Sequence, residues 1–293
     1  MLRKSILTTL TYFDIFNHPL TTQEVHLFLG IETDIKSLID ELQKMVGEGL
    51  VSTNGRWYAL QDIHRISKIR EQRNDCAMDA LKKAIVMGNL IYRFPFVKAV
   101  FVSGSLSKGV MDKKSDIDYF VITEPGRLWM CRVLLMSFKK ICLLNSRKYF
   151  CINYFIDTDH LTIEEKNQFT ATELITLIPL KGQAYLKKLF DNNSWVFRFL
   201  PNFKFGQLVD EPVRIVTVYE KILNSFFFDP IEKICYSIHV LYWRVRFGRM
   251  MNPEAFKIAM KSKAGISKSH PLNAQERILR IFTEKIKAFE IYQ

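Results

Sequence analysis

The chain has no Cys-x-x-Cys pair. Its five cysteines, Cys76, Cys131, Cys142, Cys151 and Cys235, are odd in number and widely spaced. That argues against a zinc ribbon and a disulfide framework, so reduced thiols in a cytoplasmic protein are the expectation. No apolar run follows Met1-Leu-Arg-Lys-Ser, so no secretory signal is expected. No stretch reads as a membrane span. The most apolar, 128–144, carries Arg132, Lys139 and Lys140, and Phe226-Phe227-Phe228 is cut off by Asp229-Pro230. No membrane partner is therefore expected. The six histidines show no metal-ligand spacing, and they make no Ser/His/Asp arrangement. Internal repeats and low-complexity segments are also missing.

What is present is length, apolar content and positive charge. The 293 residues, 48% hydrophobic and 25% charged, suffice for two domains and a sizeable core. The net charge of +12 favours polyanionic partners such as nucleotides. It is spread along the chain, so it does not mark a nucleic-acid groove.

The most informative stretch is Phe101-Val-Ser-Gly-Ser-Leu-Ser-Lys-Gly109, followed by Ser115-Asp-Ile-Asp-Tyr-Phe-Val-Ile122. A Gly-Ser turn leaves one apolar strand, and two aspartates one residue apart open the next. Side chains two apart on a strand share a face, so Asp116 and Asp118 aim at one point. Acids are depleted in strands, which makes their position here informative. Two carboxylates offer hard oxygen ligands, and a Gly-Ser turn offers N–H groups and a hydroxyl for phosphate.

Gly104, Ser105, Asp116 and Asp118, in this order, resemble the signature of the polymerase-β-like nucleotidyltransferase superfamily: Gly-Ser, a spacer, then Asp-x-Asp. The resemblance covers roughly 97–159, about a fifth of the chain. It implies an α/β (α+β) fold, a mixed sheet with flanking helices. It also implies a nucleoside triphosphate donor and Mg2+ or Mn2+ held by Asp116 and Asp118. A nucleoside monophosphate would pass to an acceptor hydroxyl with release of pyrophosphate. The acceptor is open between a protein, a small molecule and RNA. Gly104, Ser105, Ser107 and Lys108 would meet the phosphates.

The family usually adds a third carboxylate from a later strand. The candidate strand here is 149–157, on which alternation places Tyr149, Cys151, Asn153, Phe155 and Asp157 on one face. Asn153 is central and favoured for the third position, but it carries no charge. Asp157, at the strand's end, is the acid alternative. If Asn153 holds the position, a second reading stays open: a weakly catalytic nucleotide-binding domain, or a regulator acting through its N-terminal module.

That module, residues 1–62, reads as three short helices and a β-hairpin, which resembles a winged helix. Thr21 with Glu24 makes a capping box for the second helix, and Asn54-Gly55 makes the hairpin turn. The third helix mixes Asp34, Asp40 and Glu41 with Lys36 and Lys44, so DNA is not a favoured partner. Residues 63–94 read as a linker helix, 95–200 as the catalytic domain and 201–293 as a helical C-terminal region. Helices are expected at 213–227, 230–247 and 273–291, with an exposed loop at 265–271.

Overall fold

A computed structural model describes residues 1–146, 148–206, 225, 228–269 and 273–291. The chain opens with three helices, α1 (Leu2–Asp14), α2 (Thr22–Phe28) and α3 (Ile35–Gly47). Apolar residues at helical spacing bury one face of each, with Ile6, Leu10, Val25, Leu38 and Leu42 inaccessible or nearly so. The capping box on α2 is formed, and the Asp34 side chain accepts from Ser37 N at the start of α3. Strands β1 (Ser52–Thr53) and β2 (Tyr58–Ala59) pair antiparallel, and Leu20 bridges to Tyr58.

Helix α4 (Ile63–Tyr92) runs for 30 residues from its Asp62 cap. Its first half looks merely basic in sequence, yet Arg70 and Arg73 clamp the N-terminal helices. Arg70 donates to both Glu24 carboxylate oxygens, at 2.8 and 2.6 Å, and to the Pro19 carbonyl. Arg73 donates to the Phe16 carbonyl and to Asp112. The second half buries small residues, Ala77, Ala80, Ala84 and Gly88. A Cβ on Gly88 would fall 2.4 Å from Leu180, so the glycine permits the helix to sit this close to the sheet.

The sheet contains β3 (Val97–Ser103), β4 (Asp118–Thr123), β5 (Cys151–Asp157), β6 (Ile178–Lys181), β7 (Ser262–Lys263) and β8 (Ile266–Lys268). Their order is β6-β3-β4-β5-β8-β7. Only β4 and β5 run parallel, joined by the crossover helix α5 (Leu128–Cys142). Alternation sorts the side chains. Ala99, Phe101, Phe120, Ile122 and Ile156 join one core with α1–α3, α6 (Gln168–Ile175) and α7 (Ala184–Asp191). Val100, Val102, Tyr119, Val121 and Phe155 join another with α4 and α5. The N-terminal helices and the first sheet face therefore share one continuous core.

Two expectations are corrected. The region after residue 201 is not wholly helical, and 265–271 is not simply an exposed loop. Residues Ile266–Lys268 are buried and pair with β5, forming a hairpin with β7. Residues Ile178–Lys181 form edge strand β6, where Pro179 is tolerated. Helices α9 (Asp229–Phe247) and α11 (Ala274–Ile291) stand near their expected places, with short α8 (Val196–Phe199) before them in the chain and short α10 (Pro253–Ala259) between them. The Glu232 carboxylate on α9 accepts from Trp129 N and Met130 N, capping α5 across the chain. The expected helix 213–227 lies outside the described residues except for Ser225, and His270 and Pro271 lie outside them too.

Candidate active site

Strand β3 ends in Ser103 opposite Asp118, the first residue of β4. Gly104 turns the chain with φ +69°, and a Cβ there would lie 2.5 Å from Asp118 Oδ2. Only glycine lets the turn approach the carboxylate so closely. Leu106–Lys108 then make one tight helical turn. Ser107 Oγ donates to the Gly104 carbonyl at 2.8 Å and lies 3.3 Å from Thr176 Oγ1. Lys108 Nζ donates to the same carbonyl at 2.9 Å and to Glu173 Oε1 at 2.7 Å. Helix α6 thus holds the Gly-Ser turn from above.

Asp116 and Asp118 flank Ile117, which is fully buried in the opposite core. Asp118, the next residue and the first of β4, therefore lies on the other side of the strand, while Asp116 precedes it. Burial, then the charges of Glu173 and Asp116, push the Asp118 carboxyl up to about 7. Asp116 is half-buried and does not line the adjoining cavity, whereas Asp118 does. Ser107 also stays outside the lining, while Gly104, Ser105, Lys108 and Asn153 belong to it.

Strand β5 reaches the acids through an irregularity. Cys151 pairs with Asp118 and Ile152 with Tyr119, but Tyr154 pairs with Phe120, leaving Asn153 as an extra residue. Its Nδ2 donates to Asp118 Oδ1, and Cys151 Sγ donates to its Oδ1 at 3.1 Å. The bulge corrects the expectation that Asn153, Phe155 and Asp157 share a face. Past it the parity flips, so Tyr154 and Ile156 face the first core and Phe155 the second. Asp157 pairs with Thr123, at the opposite end of β4 from Asp118. There it bonds His160 Nδ1 at 2.6 Å and accepts from Asp159 N. The structure thus brings together Gly104, Ser105, Lys108, Asp118 and Asn153, and leaves Asp157 elsewhere.

Glu173, Arg73, Thr176 and Lys268 were not singled out by sequence. Glu173 had one signal, an acid on the otherwise apolar stretch Ala171–Ile175. Among the described residues no three His, Cys, Asp or Glu side chains form a ready-made metal cage. The donor set still suits a divalent ion shared with phosphate. Asp116 and Asp118 are hard carboxylates close enough to interact, and burial, then the charges of Glu173 and Asp116, raise the Asp118 carboxyl to about 7. Magnesium commonly uses one or two carboxylates and completes its shell with substrate phosphates.

The cavity beside these residues has a volume of about 490 Å³. Its walls come from the sheet, from α1 and α4, and from α6 and α11. No curated protein and no solved structure matches the chain. Residues 89–179 match the family model described as a nucleotidyltransferase domain, and the Gly-Ser turn, the Asp-x-Asp pair and Glu173 all fall inside that segment. Residues 89–179 are a nucleotidyltransferase domain of the polymerase-β-like superfamily.

Proposed function

We propose that the chain transfers a nucleoside monophosphate from a nucleoside triphosphate to an acceptor hydroxyl, releasing pyrophosphate. The observation that carries this reading is the Asp118 carboxyl, half-buried and packed against the Gly104 turn within the matched domain. Asp116 and Asp118 would hold Mg2+ or Mn2+, which supplies charge stabilisation for the attacking and leaving oxygens. Ser105 and the turn backbone would hold the terminal phosphates, and Lys108 would exchange Glu173 for a phosphate oxygen. The acceptor oxygen bonds to the α-phosphorus, the bond to the bridging oxygen breaks, and pyrophosphate leaves with the electron pair. The hydroxyl proton passes to water, because Asn153 cannot take it. Such transfer relies mainly on positioning and electrostatics, which a preorganised turn provides.

One observation favours a second reading, slow or absent turnover with nucleotide binding retained: the uncharged Asn153 stands beside Asp118 where an acid would complete the set. Pyrophosphate release, measured with each triphosphate and with Mg2+ or Mn2+, separates the two. Steady release that depends on Asp118 establishes transfer. Triphosphate binding in a calorimeter without release establishes the second reading. No binding and no release sinks both.

A further inference from the structure

The cavity, about 490 Å³, is larger than a phosphate site needs, and its two sides differ. The Gly-Ser turn lies at the β3 side, Asp118 in the middle, and Asn153, Tyr154 and Lys268 on the β5–β8 side. In phosphoryl transfer the attacking and leaving oxygens lie roughly in line through phosphorus. With the terminal phosphates on the turn, the attacking hydroxyl must approach from the β5–β8 side. The inference rests on the proposed function in this respect.

That side is apolar and roofed. The Tyr154 ring packs edge-on to Phe120 at 4.9 Å, and Phe169, Leu174 and Ile278 face the same space. Lys268 is buried there, donating to Gln275 Oε1 at 3.1 Å. The roof comes from α1 and α11, both outside the matched segment. These two helices hold each other: Tyr12 meets Phe282 edge-to-face at 5.3 Å, and Lys285 pairs with Asp14 at 2.5 Å. A polynucleotide or folded protein needs an open, wet, basic approach to the acids. This arrangement offers a mostly apolar chamber with a few polar groups, which is the design of a small-molecule site.

We propose that the acceptor is a small molecule whose hydroxyl is borne on an apolar, ring-sized body, seated between Tyr154, Phe169 and Ile278 on the β5–β8 side of the cavity.

The test uses the full chain and 2-naphthol, a fluorescent hydroxylated ring, titrated without nucleotide. Saturable binding is expected, weakened at least tenfold in Ile278→Trp, which fills the chamber. Gln275→Trp, at a half-buried position on the same helix, serves if the first variant fails to fold by circular dichroism. Calorimetry with Mg-ATP, Mg-CTP, Mg-GTP and Mg-UTP should show the best-bound triphosphate changed less than twofold in the same variant. Absence of saturable naphthol binding overturns the inference. So does a variant that loses the triphosphate as much as the naphthol, because the apolar end would then hold the base. Displacement of naphthol by a single-stranded RNA oligonucleotide at physiological salt also overturns it. Failure of every triphosphate to bind the unaltered chain, with naphthol binding intact, strikes the proposed function instead.

Discussion

The two faces of the central sheet are made by the same strands and do different work. Val100, Val102, Tyr119, Val121 and Phe155 point one way into a dry core under α4 and α5. Ser103, Asp118 and Phe120 point the other way, toward the cavity. The first face buries even its charge as structure. Arg132 is buried between Phe155 and Trp243, 4.9 Å from each ring, and donates to His239. The second face carries a half-buried carboxyl raised to about 7, with no cation bonded to it among the described residues. A buried cation packed between two rings reads as scaffold, whereas a half-buried acid beside other acids and with no bonded cation reads as a candidate site.

The sharpest way to break this comparison is to remove the acids. Asp116→Ala with Asp118→Ala should cut metal-dependent triphosphate binding and pyrophosphate release by at least about a hundredfold, more than loss of an outer-shell partner costs. Thermal unfolding should stay near that of the unaltered chain. Unchanged binding by calorimetry would show that the second face is scaffold too. On the first face, Phe155→Ala should destabilise by about 3–5 kcal/mol through the cavity it leaves. Pyrophosphate release per folded molecule should be preserved. A loss of turnover without a loss of stability would erase the distinction between the faces.

Asn153→Asp sharpens the comparison at the bulge. A third acid there should tighten Mn2+ binding, read by electron paramagnetic resonance, and raise any transfer rate. Asp157→Asn should leave both unchanged, since Asp157 sits at the far end of the strand with His160. An inactive but folded Asp157→Asn protein would overturn that assignment.

Acid stability tests whether both faces are equally dry. Burial, as the leading cause, lowers His18 on the cavity side and His239 on the other to about 3. Both stay neutral when folded, while the unfolded chain protonates them near 6.5. Their stabilisation is therefore complete above about pH 6.5 and is lost as pH falls toward 3. By pH 5 each should cost about 2 kcal/mol, at about 1.4 kcal/mol per unit. His18→Gln should show a shallower acid limb in denaturant titrations; an unchanged limb would mean that water reaches His18. The smallest effect is expected from DNA. Duplex binding by anisotropy should be weak and should vanish with added salt, because the exposed face of α3 mixes Asp34 and Asp40 with Lys36 and Lys44. Tight, salt-resistant binding would make the N-terminal module a reader rather than a wall.

Much of the fold and half of the site were legible in the residues. The Gly104-Ser105 turn, the Asp116-x-Asp118 pair, the capping box at Thr21 and the long helix before Pro95 all rest on contacts within a few positions. Strand β8 was not legible, because a three-residue strand becomes one only when β5 supplies its partner. Glu173 was hidden for the same reason: its meaning lies in Lys108, 65 residues away.

The sequence by itself determined the local rules, which are steric and periodic. Glycine alone fits the turn at Gly104, and alternation with the buried Ile117 puts Asp118 on the cavity side of the sheet. Tertiary structure decided the rest. The bulge at Asn153 turned Tyr154 toward the cavity, because one unpaired residue reverses the parity of everything after it, and the register left Asp157 at the far end of β4 from Asp118. The packing of α1 against α11 supplied one wall of the cavity from two ends of the chain. No period within either helix encodes the other's position; only the burial of both against one sheet brings them together.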